Sequence, residues 1–213
     1  MDIKLQKVSP IFLEKEKLAS SEVWNADLHL KKGERVQLRA PSGSGKTSFI
    51  HFLYGLRKDY TGEIFFDSKN IATLNPEEIA TYRNGNISIV FQDLRLFAGY
   101  SAMENISIKR TLNSFHAAAG IVEMAGRLGI LNKLEQEAGI CSYGEQQRIA
   151  IIRALQQPFD FLILDEPFSH LDDVNARKAM DLINEEVEKR KAGIILTDLA
   201  ELDFFNADKT LKL

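Results

Sequence analysis

The segment from Cys141 to Pro167 constrains the chain most. It runs Cys141-Ser142-Tyr143-Gly144-Glu145-Gln146-Gln147-Arg148, then an apolar helical stretch, then Phe161-Leu162-Ile163-Leu164-Asp165-Glu166-Pro167. A small-residue turn opens a helix, and the apolar strand beyond it ends in two adjacent carboxylates. Continuous apolar strands of this kind belong in a sheet covered by helices on both faces. In open sheets of that class, ligands gather at the carboxyl ends of the strands, where Asp165 and Glu166 stand.

The rest of the chain alternates in the same way. Ile3 to Val8 reads as an edge strand, Ile11 to Ser21 as a hairpin or loop, and Val23 to Leu30 and Arg35 to Leu38 as strands split by a Lys32-Gly33 turn. Gly45 to Arg57 is helix-like, with Phe49, Ile50, Phe52 and Leu53 on one face. Gly62 to Phe66 is a short strand. Asn75-Pro76-Glu77-Glu78 starts a helix: a capping Asn, Pro at the first helical position, then acids at the positive dipole end. Ile87 to Phe91 is an apolar strand. From 94 to 140 helical runs broken by glycines replace the strands. After them come a helix over Val174 to Lys191, a strand over Ile194 to Thr197, a short helix over Leu199 to Phe205, and a last strand over Lys209 to Leu213. The pattern predicts an α/β fold with a mainly parallel sheet, an N-terminal antiparallel β subdomain and a helical insertion at about 94–140, all within one domain spanning 1–213.

A second motif lies far upstream. In Ala40-Pro41-Ser42-Gly43-Ser44-Gly45-Lys46-Thr47-Ser48, the glycines let successive backbone N–H groups turn toward one anion, and the following helix presents its positive end to the same point. Lys46 supplies a point charge for β and γ phosphates, and the Thr47 hydroxyl suits Mg²⁺. The loop as a whole, Ser42 to Ser48, is the predicted phosphate cradle, and a nucleotide with Mg²⁺ the predicted ligand pair. Ala40 stands where a glycine is usual, which is tolerable at negative φ. Asp165 is placed to hold Mg²⁺, directly or through water, and Glu166 to polarise an attacking water as general base.

At 213 residues the chain is long enough for a substantial core. No apolar run approaches the roughly 20 residues of a spanning helix, and Met1-Asp2-Ile3-Lys4 lacks the apolar stretch of a signal peptide. One cysteine forms no internal disulfide, which fits a reducing cytosol. A formal charge of −3 argues against a dedicated nucleic-acid binder.

Taken in order, these motifs resemble the nucleotide-binding subunit of an ATP-binding cassette (ABC) protein, nearly end to end. The family's P-loop NTPase core carries a Leu-Ser-Gly-Gly-Gln turn before Gln-Gln-Arg. Here Ser142 and Gly144 match, as do Gln146-Gln147-Arg148, while Cys141, Tyr143 and Glu145 replace Leu, Gly and Gln. The resemblance implies that Ser142, Tyr143, Gly144 and Glu145 serve a nucleotide bound by a second subunit, so that two chains, either identical or related, meet head to tail around two nucleotides. For Ser142 alone, an ordinary helix cap would be the preferred reading. By the same resemblance Gln92 touches Mg²⁺, with Thr47 and Asp165 as the other ligands. Ser169-His170-Leu171-Asp172 matches the interface loop, usually Ser-Ala-Leu-Asp, and puts Asp172 at the dimer interface. Phe12 is the candidate for stacking on adenine; Trp24 is the rival, and either can equally be a core aromatic. His29, His51, His116 and His170 read as structural or surface residues.

The segment Val90-Phe91-Gln92-Asp93-Leu94-Arg95-Leu96-Phe97, with Ser101 to Ile106, resembles the lipoprotein-releasing, macrolide-exporter and cell-division (FtsE-like) branch. The resemblance implies an ATPase peripheral to the cytoplasmic face of a membrane, working on separate transmembrane subunits. Leu94, Leu96, Phe97, Tyr100 and Met103 are candidates for a groove that receives such a partner, or equally for subdomain core. One departure stands out. Where the family carries a His after its last core strand, at the switch position, this chain has Asp198, and Glu145 adds a second carboxylate near the expected neighbour's nucleotide. Slow hydrolysis without a partner is the expectation, and a weakly hydrolysing nucleotide-dependent switch of the same fold is the alternative function.

Overall fold

The computed structural model describes residues 1–41 and 43–213, so the expectation for Ser42 lies outside the described residues. Alternation in the first strand, β1 (Ile3–Pro10), buries Ile3, Leu5 and Val8 and exposes Lys4 and Gln6. A short helix α1 (Lys15–Ala19) follows, then strands β2 (Asp27–Leu30) and β3 (Arg35–Arg39), helix α2 (Lys46–Leu53), and strands β4 (Tyr60–Phe66) and β5 (Lys69–Asn70). Helix α3 (Pro76–Gly85) leads into β6 (Ile87–Val90). Next come α4 (Ala102–Leu112), α5 (Ala119–Arg127) and α6 (Tyr143–Ala154), with single 3-10 turns between α5 and α6. Strand β7 (Phe161–Asp165), helix α7 (Asp173–Arg190), and strands β8 (Gly193–Asp198) and β9 (Lys209–Lys212) complete the order.

Two sheets form. One is antiparallel, in the order β2-β1-β4-β5; the other is parallel throughout, in the order β6-β7-β8-β3-β9. Strands β6, β7 and β8 are buried nearly throughout and feed two cores in alternation. Leu162, Leu164, Ile194 and Leu196 point into a core with α4 to α7, while Phe161, Ile163 and Ile195 point into a second core with α2 and the antiparallel sheet. Because β6, β7, β8 and β3 run the same way, their carboxyl ends reach one edge. Arg39 pairs in register with Asp198 and Asp165 with Thr197, so the loop after β3 and the carboxylates after β7 and β8 become neighbours.

Four local expectations are corrected. β1 is not an edge strand; β2 and β4 flank it. The 11–21 segment holds α1 rather than a hairpin. The strand predicted from Val23 begins only at Asp27, because Val23 and Trp24 turn into the core under two N–H bonds to the Ser21 hydroxyl. Residues 199–205 are not helical. Gln37 Nε2 captures the Ala200 carbonyl, Phe204 packs edge-on to Phe168, and Phe205 lies under the Arg35 guanidinium. Tertiary contacts there outweigh helix propensity.

Helix starts follow the local chemistry. Asn75, Ser101 and Ser142 each cap a helix in a reciprocal capping box, with Glu78, Glu104 and Glu145 at the third helical position. Among the described residues no helix is long and apolar enough to cross a membrane.

Candidate functional site

The loop between β3 and α2 rests on Trp24. The indole Nε1–H donates to the Ser44 carbonyl at 2.9 Å, and the ring meets Phe49 and Phe52 edge-on. Gly45 is required at this place. Its φ is +95°, and a Cβ would sit 3.1 Å from the indole. Trp24 is 2% exposed and holds the loop from behind, which removes it as an adenine platform. Phe12 is half exposed, with the Arg57 guanidinium 4.8 Å from its ring centroid.

A cleft of about 400 Å³ opens over this loop, lined by Gly43, Gly45, Lys46, Thr47, Gln92 and Glu166 among others. Ser44 has a buried hydroxyl with no hydrogen-bond partner among the described residues. Such a group is costly unless it finds a partner. Ser48 lines the same cleft while its hydroxyl accepts from Arg57 Nη1 at 3.3 Å. Lys46 pairs with the Glu166 carboxylate, and their side chains are only 11% and 12% exposed. Burial lowers the Lys46 ammonium from its usual value, opposed by Asp165 and Asp198. Glu166 also accepts from Gln92 Nε2 at 3.0 Å and holds a left-handed φ of 46° directly after its strand.

Asp165 is buried and accepts from the Thr197 hydroxyl at 2.8 Å. Burial raises its pKa from the usual value, opposed by the Thr197 bond and Lys46. Thr47 and Asp165 border an adjoining hollow together with Gln92, His51 and Arg95. Hydroxyl, carboxylate and amide oxygens are the hard donors Mg²⁺ takes alongside phosphate oxygens and water, so the set fits that ion. Asp198 stands at the end of β8, where its Oδ1 accepts from the Leu199 N–H at 2.7 Å.

The signature turn opens α6, and its Tyr143 borders the hollow that Thr47, Gln92 and Asp165 share. The Ser142 hydroxyl accepts from the Glu145 N–H, and the Glu145 carboxylate accepts from the Ser142 N–H at 2.8 Å and pairs with Lys133 at 3.3 Å. The Ser142 backbone bond comes first in lowering the Glu145 pKa. The Glu145 charge is therefore partnered within its own chain by the cap and by Lys133. Asp172 caps α7 by accepting from the Asn175 N–H at 2.8 Å. Of the candidate groove, Leu94 is buried and Leu96 and Met103 pack on the core, whereas Phe97 and Tyr100 are exposed and flank a hollow with Glu104 and Ile108.

The fold brings Lys46, Thr47, Gln92, Asp165, Glu166 and Asp198 together at one edge; Tyr143 borders the hollow beside them, while Ser142, Gly144, Glu145 and Asp172 line neither hollow. Two neighbours went unread in the sequence. Lys17 of α1 places its Nζ 3.3 Å from where a Cβ on Gly43 would stand, and nothing local to Lys17 signals it. Arg95 stacks on Phe91 at 3.8 Å and reaches His51, and burial and Arg95 lower the His51 pKa. An Arg-aromatic-Asp cluster after a strand was the available clue.

A glycine-rich loop opening a helix beside strand-end carboxylates, at the edge of a parallel sheet, defines the P-loop NTPase class. Within it, the chain belongs to the ABC transporter family, whose model matches residues 23–169. An uncharacterised ABC transporter ATP-binding protein of Mycobacterium tuberculosis is 30% identical over 80% of this chain, which spans about half of that relative (53%). The lipoprotein-releasing system ATP-binding protein LolD of Pseudoalteromonas translucida is 35% identical over 75% of this chain and 70% of its own length. That is the branch which the Val90 to Phe97 segment resembles. The dimeric structure of MJ0796, a bacterial ABC transporter cassette, superposes with a TM-score of 0.82 at 26% identity, covering 99% of this chain and 94% of that one. MJ0796 has also been seen as a dimer in a post-hydrolysis state with ADP and Pi.

Proposed function

We propose that the chain binds and hydrolyses ATP as the ATP-binding subunit of an ABC transporter or mechanotransmission complex of the LolD-like branch. Two copies, or this chain and a related one, close around ATP and drive separate transmembrane subunits. The observation that carries the reading is the Lys46–Glu166 pair inside the phosphate cleft, with Asp165 beside it and Ser142 outside it. One protomer holds the reacting groups and lacks the second wall, which the signature turn of a neighbour supplies.

In this mechanism the backbone N–H groups of the loop and Lys46 bind the phosphates, so Lys46 exchanges the Glu166 carboxylate for the γ-phosphate. Glu166, released, accepts a proton from the attacking water as general base. Gln92, bonded to Glu166 without nucleotide, orients it. The Ser142 hydroxyl and the N-terminus of α6 stabilise the γ-phosphate of the neighbour's nucleotide. Mg²⁺, held by Thr47, Asp165 and Gln92, would neutralise phosphate charge. Phe12, exposed near α1, stacks on the adenine, and Asp172 meets the other protomer.

The chain acts as one cassette, 1–213, with 94–140 as its helical subdomain, and works at the cytoplasmic face of a membrane through its partners; no nucleic acid is involved. The slow-switch alternative has less support, because the similar curated proteins are ABC transporter ATP-binding proteins and the similar MJ0796 cassette has been seen in a post-hydrolysis state with ADP and Pi. The test is steady-state ATPase of wild type and Glu166→Gln. Turnover that falls by two or more orders of magnitude in the variant is expected, about the scale of a lost general base. Brisk hydrolysis surviving Glu166→Gln would overturn the assignment.

A further inference from the structure

The two places where the signature turn and the interface loop depart most from the family pattern face each other. Tyr143 stands where Gly is usual in the turn, and His170 where Ala is usual in Ser-Ala-Leu-Asp. Their ring centroids are 4.1 Å apart with the planes tilted 59°. The Tyr143 hydroxyl donates to the Gln92 carbonyl at 3.3 Å. The backbones are equally close: a Cβ on Gly144 would stand 2.9 Å from the His170 carbonyl oxygen. One turn further along α6, the buried Gln147 donates from Nε2 to the Glu166 carbonyl at 3.2 Å, and its Oε1 accepts from the His170 N–H at 3.2 Å. The start of α6, the interface loop, Gln92 and the backbone of Glu166 thus form one packed unit. Gly and Ala at 143 and 170 would leave only the backbone approach and Gln147 to hold it.

We propose that Tyr143 and His170 are a matched positioning pair that locks the signature turn to the interface loop and to Gln92. Closure of a neighbouring protomer against the turn then sets the geometry of Gln92 and Glu166 in the same chain. The inference rests on the ATP-driven dimer proposed above. Neither side chain belongs to the phosphate cradle; Tyr143 acts through the Gln92 carbonyl, and His170 through the Tyr143 ring and the loop that follows Glu166.

The test is a double-mutant cycle with Tyr143→Ala, His170→Ala and the double variant, plus Tyr143→Phe, which keeps the ring and loses the hydroxyl. In urea unfolding of the nucleotide-free protein, a tilted ring pair couples the two sites by about two- to tenfold in the unfolding constant. In ATP turnover, each alanine variant lowers kcat by a similar factor while KM for ATP stays nearly constant. The double variant is no slower than the slower single, and Tyr143→Phe, which keeps the ring contact with His170 but loses the bond to the Gln92 carbonyl, falls between wild type and Tyr143→Ala in kcat. Additive unfolding energies, kcat losses that multiply, or a Tyr143→Phe variant as slow as Tyr143→Ala would each overturn the proposal. A wild type that neither dimerises nor turns over on ATP defeats the ATPase reading instead, and the unfolding cycle still decides whether the pair is coupled.

Discussion

Replacing Glu166 by Gln separates two roles of one carboxylate, the observed counter-ion of Lys46 and the proposed general base. Without nucleotide, Glu166 neutralises Lys46 inside a cleft where both side chains are almost fully enclosed. ATP competes with the Glu166 carboxylate for the Lys46 ammonium. A hydrogen bond to a charged group is worth about 1.5–3 kcal/mol net. Removing the charge on Glu166 leaves Lys46 without its counter-ion in the free protein and relieves repulsion toward the γ-phosphate in the bound one. Both effects favour the complex, so Glu166→Gln should bind ATP roughly ten- to a hundredfold more tightly. The same change removes the general base and lowers turnover by about 10² or more. Calorimetric titration of nucleotide into wild type and variant reads the affinity, and phosphate release reads the turnover. Equal or weaker ATP affinity in Glu166→Gln would refute the competition argument even if hydrolysis were lost.

The other predictions concern the supports of the cleft. Trp24→Ala removes the ring that backs the phosphate loop and should cost about 3–5 kcal/mol in urea unfolding, with weaker ATP binding; an effect below 1 kcal/mol would contradict the packing argument. Asp198→His replaces a carboxylate near Lys46 with a donor and should raise turnover roughly tenfold, the scale of one phosphate-facing group, whereas unchanged turnover would show that residue 198 does not face the reaction. Burial pushes Glu186 up, but hydrogen bonds from His116, Lys189 and Arg190 more than offset it and hold its pKa at about 2, below its ordinary 4.5. Because the folded pKa is depressed, the stability it contributes is complete above about pH 4.5 and is lost as pH falls toward 2. Glu186→Gln should flatten acid destabilisation across that window, and an unaltered acid profile would refute it.

What the sequence made legible was local. The phosphate loop, the capping boxes and the apolar strands each depend on consecutive residues or fixed helical spacings, so Lys46, Asp165, Ser142 and most element boundaries could be read directly. What escaped was decided by residues distant in the chain. Trp24 looked like a possible nucleotide platform because an aromatic after an early strand reads the same whether it faces out or in; its partners Ser44, Phe49 and Phe52 decided that. Leu199 to Phe205 has helical composition, but Gln37, Phe168 and Arg35 claim its groups. Lys17 reaches Gly43, and Tyr143 meets His170, only once the sheets are assembled.

Complementation between two defective chains tests the shared site most directly. In a Glu166→Gln background, one chain carries Lys46→Ala and the other Ser142→Arg, and trapping of labelled ATP with Mg²⁺ is measured for each alone and for an equimolar mixture. If the neighbour's signature turn completes the cleft, neither chain alone traps nucleotide, while the mixed pair, having one site with both walls intact, does. A mixture that traps no more than its separate parts would contradict a cleft built from two protomers.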